Sequence, residues 1–88
     1  MNTAFLLMAQ YNGAAVITVE QVCRDYFQHM QPDYFVRQVT AGKIGLPLIQ
    51  IDATSNKSTR GVHVADLAAW IDDRRAAAQK ECKLLTGK

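Results

Sequence analysis

A guanidinium and an amide stand side by side at Arg37 and Gln38, with a phenol just before them at Tyr34 and an ammonium after them at Lys43. A guanidinium forks onto the O6 and N7 edge of guanine, and an amide does the same for N6 and N7 of adenine. Phenol and ammonium groups reach phosphate oxygens instead, as does an amide such as Gln31. Further along, Asn56, Lys57, Ser58, Thr59 and Arg60 form a second polar group of backbone-binding type. All of this is recognition chemistry. Bond-making chemistry lacks its parts: there is no nucleophile beside a base, no phosphate-cradling glycine loop and no metal-ligand spacing. Asp72 and Asp73 are neighbours on an expected helix, so their carboxylates diverge by about 100° and share no substrate atom.

Two short helices and a hairpin must position these groups. Thr18 is expected to cap a helix, with Gln21 as its capping-box partner. Val19, Val22, Cys23 and Tyr26 or Phe27 fall on one apolar face, leaving Glu20, Arg24 and Gln28 solvated, with Glu20 and Arg24 paired four apart. A turn lies between Gln28 and Pro32. Pro32 then suits the first position of the next helix, and Asp33 complements its amino end. That helix buries Phe35, Val36 and Val39, turns Tyr34, Arg37, Gln38 and Ala41 outward, and stops at Gly42. Residues 46–52 alternate as a strand, residues 54–59 are a polar turn, and residues 60–64 return as a second strand. The whole is a helix-turn-helix over 18–42 with a wing over 46–64.

Two flanking helices complete the chain. Thr3 is expected to cap a helix over 4–11, ended by Asn12 and Gly13, and residues 14–17 form an extended link. Phe5, Leu6, Leu7 and Met8 make the first helix apolar on nearly every side, which requires cover on more than one face. The last helix, over 65–85, places Val64, Leu67, Ala68 and Ile71 on a stripe with Trp70 at its edge. The stripe continues through Ala78, Cys82 and Leu85, as a helix that pairs with another chain would require. Phe5, Leu6, Met8, Ala78, Cys82 and Leu85 are therefore the expected oligomer contacts. Arg74, Arg75, Lys80 and Lys83 share this helix with Asp72, Asp73 and Glu81, and are left out of the principal DNA surface.

With 88 residues, 49% of them hydrophobic, the chain is expected to form one domain with a real core, of α+β class. A net charge of only +2 leaves the case for nucleic acid to charge placement. Cys23 and Cys82 form no CxxC pair and complete no ligand set with His29 or His63, so reduced thiols in a cytoplasmic protein are expected, with no metal or other cofactor. FLLMA is too short to span a bilayer and has no basic leader before it, so neither a membrane nor a signal peptide is expected.

TVEQVCRDYF, the helix ending in VTAGKIGLP, and GVHVADLAAWIDDRR resemble the winged helix-turn-helix of excisionase-type and MerR-type regulators over roughly residues 17–75. MNTAFLLMAQYNGAAVI, VCRDYF, RGVHVADLAAWID and RRAAAQKEC together resemble the pyocin activator protein family of bacterial transcriptional activators, over nearly the whole chain. That resemblance implies a positive regulator that binds promoter elements of bacteriocin genes related to phage tails, in a response linked to DNA damage. Double-stranded promoter DNA is the partner it implies, with RNA polymerase as a further one; the apolar faces of the first and last helices add a second copy of the chain. An excisionase-like architectural protein that bends DNA, and a protein-interaction adaptor that docks through the first and last helices, are the alternative functions.

Overall fold

The computed structural model describes residues 2–51 and 60–87. Within them the order is α1 (Thr3–Gln10), β1 (Val16–Thr18), α2 (Val19–Tyr26), α3 (Pro32–Thr40), β2 (Ile49–Gln50), β3 (Arg60–His63) and α4 (Val64–Thr86). This is a small α+β fold, with helices around a three-stranded antiparallel sheet of order β1-β3-β2, an arrangement consistent with a winged helix.

The helix boundaries follow from local chemistry. Asn2, not Thr3, caps α1, its side chain accepting from the Ala4 N–H at 2.7 Å, so the helix begins one residue earlier than expected. At the other end Asn12 and Gly13 both take positive φ. The Gly13 N–H donates to the Met8 carbonyl and the Asn12 N–H to that of Ala9, which satisfies carbonyls the helix leaves open. The expected capping box on α2 is present, with the Gln21 N–H donating to the Thr18 hydroxyl and the Gln21 side chain accepting from the Thr18 N–H. Pro32 opens α3 as expected.

Three departures from expectation have physical causes. The extended link before α2 is an edge strand, with Val16, Ile17 and Thr18 opposite His63, Val62 and Gly61. Three residues are too few to show alternation. The expected strand over 46–52 pairs only at Ile49 and Gln50 among the described residues, because Pro47 has no N–H to donate and Leu46 turns into the core. Finally, His63 caps α4: its Nδ1 accepts from the Ala65 N–H at 3.0 Å.

The core gathers Leu7, Ile17, Val22, Phe35, Val62 and Leu67 from six elements. Phe27 is the hub of its aromatic side, 4.8 Å from the Phe35 ring and 4.9 Å from Trp70 between centroids. It thus ties the end of α2 to both α3 and α4. Gly61 lets β1 close on β3: a Cβ there would lie 2.7 Å from Val16 Cγ1 and 2.9 Å from the Ile17 carbonyl oxygen. No helix among the described residues is long and apolar enough to cross a membrane.

Candidate nucleic-acid interface

The outward face of α3 is centred on Arg37. Successive helical residues turn by 100°, so Asp33, Tyr34, Thr40 and Ala41 all lie within about 60° of Arg37 around the axis. All five are exposed. Gln38 lies about 100° away and is half-buried, so it borders the face instead of occupying its middle. The expectation that it points outward with Arg37 is corrected to that extent. Thr40 was not singled out from the sequence, although the same angular count places its hydroxyl on the face.

Local packing orders this surface. The Arg37 guanidinium carbon sits 5.8 Å from the centre of the Tyr34 ring, a cation–π contact that holds the charge over an aromatic plate. At the end of α3 the Gly42 N–H donates to the Val39 carbonyl and the Lys43 N–H to that of Gln38, each at 3.0 Å. Gly42, with φ of 77°, supplies the left-handed residue that this termination needs. The closure fixes the backbone of Lys43, which is exposed, and buried Leu46 anchors the chain three residues later. Gln31 is exposed at the start of α3 and makes no side-chain cap bond to it. Its carbonyl accepts from the Phe35 N–H at 2.9 Å.

On the sheet, Arg60 is exposed and pairs with Gln50 in register. It lines a small cleft of about 110 Å³ with Val16, Ile17, Thr18, Ile51 and Gly61. Asn56, Lys57, Ser58 and Thr59, the expected tip of the wing, lie outside the described residues. The candidate interface within the described residues is therefore Gln31, Tyr34, Arg37, Gln38, Thr40, Lys43 and Arg60.

Other charges are tied down elsewhere. Arg24 does not pair with Glu20. Its Nε and Nη2 fork onto the Asp25 carboxylate at 2.9 and 3.0 Å, because the long guanidinium stem reaches its sequence neighbour. The Tyr11 hydroxyl donates to the same carboxylate at 2.6 Å. The Arg24 fork, then the Tyr11 hydrogen bond, hold the Asp25 carboxyl down to about 2. Burial, reinforced by the hydrogen bond to Asp25, pushes the Tyr11 phenol well above its ordinary value, so it remains a donor. Burial likewise raises the Cys23 thiol, with the Glu20 charge adding to it. The expected oligomer contacts Phe5, Leu6, Met8, Ala78, Cys82 and Leu85 are all exposed.

Residues 3–78 match the family described as "Pyocin activator protein PrtN". The chain belongs to the pyocin activator protein family. Neither a search of curated proteins nor one of solved structures returned a match. The family match spans α1 to the middle of α4, so it includes every described residue of the candidate interface, while Cys82 and Leu85 lie past its end.

Proposed function

We propose that this pyocin activator family member is a sequence-specific DNA-binding activator of pyocin genes, which reads its promoter with α3 and grips the backbone with Lys43, Arg60 and the wing residues Asn56, Lys57, Ser58 and Thr59. The observation that carries this reading is the exposed Arg37-centred face of α3, ended by a turn that presents Lys43. Asp33 places a carboxylate on the same face near the start of α3. It repels phosphate, so the closest approach to the duplex belongs to the second half of the helix, from Arg37 to Lys43. Arg37 is the base-reading group; Tyr34 and Thr40 flank it and hydrogen-bond to phosphate or base edges. RNA polymerase is the further partner that activation requires.

Anisotropy titration of the full chain on a pyocin promoter duplex tests this. Affinity should fall as salt rises, with a logarithmic slope of about −0.9 per neutralised phosphate. Arg37→Ala should cost about 1–3 kcal/mol on the promoter and much less on unrelated duplex, which is loss of discrimination. Lys43→Ala should weaken both duplexes alike and lower the slope by about one. Equal loss on both duplexes for Arg37→Ala would remove α3 from base reading. A salt-independent affinity would exclude the phosphate contacts assigned to Lys43 and Arg60, and no saturable binding would exclude DNA as the ligand.

A further inference from the structure

We infer that the outer half of α4 pairs antiparallel with the same segment of a second copy of the chain, about a two-fold axis near Ala78 and Gln79, with Arg74 of each helix facing the partner's Glu81. The inference concerns self-association without DNA and stands apart from the promoter reading above.

Every residue from Asp72 to Gly87 is exposed, yet the segment is helical through Thr86. Its Ala, Gln, Lys, Glu and Leu residues are strong helix formers, which sustain the helix beyond the core. What they do not explain is the apolar pattern. Val64, Ala68 and Ile71 face the core at alternating spacings of four and three; Ala78, Cys82 and Leu85 continue that spacing beyond Arg75, the one charged residue in the row. This is the a/d repeat of a helix with a helical partner, and the described residues supply none there.

Two observations select the second copy and its direction. The first is charge. In this repeat Arg74 and Glu81 both fall at g, the position beside the seam. An antiparallel pair sets g against g, and so Arg74 against Glu81, twice by symmetry. A parallel pair sets g against e, where Arg74 meets Gln79 and Glu81 meets Thr86, with no charge complement. Neither residue has an opposite charge three or four positions away in its own helix, and neither has an ion-pair partner among the described residues. The second is the placement of exposed apolar groups. Leu84 and Leu85, 78% and 80% exposed, sit at the far end of α4. Phe5 and Leu6, 66% and 53% exposed, sit near the start of α1, which the Thr3 hydroxyl pins to Asp72 at 2.7 Å. Asp72 and Leu85 are about 20 Å apart along the axis. A two-fold axis at their midpoint exchanges the two ends, so each leucine tip comes to the α1 end of the partner. Parallel pairing sets each leucine tip beside the partner's own, about 20 Å from the α1 end.

Sedimentation equilibrium of the full chain, with circular dichroism as the folding control, tests the inference. The unaltered chain is expected to dimerise at micromolar concentration. Ala78→Glu places like charges across the axis and should leave a folded monomer. Arg74→Glu and Glu81→Arg should each weaken the dimer roughly tenfold, two repulsive contacts having replaced two attractive ones. The double variant Arg74→Glu/Glu81→Arg should restore it. A wild-type chain that stays monomeric at 100-fold higher concentration would overturn the inference. So would a dimer indifferent to Ala78→Glu, or single-variant losses that the double variant leaves unrepaired.

Discussion

The two halves of α4 carry one apolar repeat, interrupted at Arg75, and meet opposite surroundings. In the first half Leu67 is fully buried, Ala68 nearly so, and Trp70 packs against Phe27 with the rings tilted. In the second half Ala78, Cys82 and Leu85, which repeat the positions of Val64, Ala68 and Ile71, are exposed. Sequence pattern does not distinguish the halves; the neighbours do. α1, β3 and the aromatic hub cover the first half, and none of the described residues buries the second. A helix pattern therefore states that a face needs a partner without stating whether that partner is the chain's own core.

The contrast can be broken most directly by truncating one side chain on each side of it. Phe27→Ala removes the ring that joins α2, α3 and α4, and should cost about 3–5 kcal/mol in urea denaturation. Leu84→Ala, on the exposed side, should change the stability of the monomer by less than about 0.5 kcal/mol. Comparable losses at the two positions would mean that the outer half of α4 is packed within the monomer. Next in size is Gly61→Ala. Its added methyl meets a backbone carbonyl as well as a movable valine, so about 1–3 kcal/mol should be lost. A neutral result would show that β1 can retreat from β3 without loss.

The smallest effect concerns pH. The Asp25 carboxyl is held down to about 2, below the ordinary carboxylate value of about 3.9. Its contribution is thus complete above about pH 4 and is lost as pH falls through about 2. Thermal melts of Asp25→Asn and the unaltered chain should converge across that window and differ above it. A constant difference down to pH 2 would mean that the Arg24 fork and the Tyr11 bond contribute nothing to folding.

Much of the fold was legible because its signals are local. Thr18 and Gln21 stand at capping-box spacing, Pro32 can only begin α3, and Gly42 supplies a backbone angle that other residues resist. The misses depended on distant neighbours. β1 exists because β3 comes to lie beside it, and Gly61 makes the approach possible. His63 caps α4 only because the strand delivers its imidazole there. Arg24 forks onto Asp25 instead of Glu20, on a carboxylate that also accepts from Tyr11, just past the end of α1. For the candidate site, spacing placed Tyr34 and Arg37 on one face, but treated Gln38 as their equal and passed over Thr40. A neighbour in sequence is 100° away on a helix, and the half-burial of Gln38 reflects that angle.

The central claim is that the duplex is read by α3 and not by the charged outer half of α4. Backbone amide shifts, recorded by NMR as promoter duplex is added to the full chain, test it most directly. The largest changes should fall on residues 34–43 and at Arg60, with residues 74–86 little altered. Changes concentrated on residues 74–86 with α3 silent would contradict it, and would move the contact to Arg74, Arg75, Lys80 and Lys83.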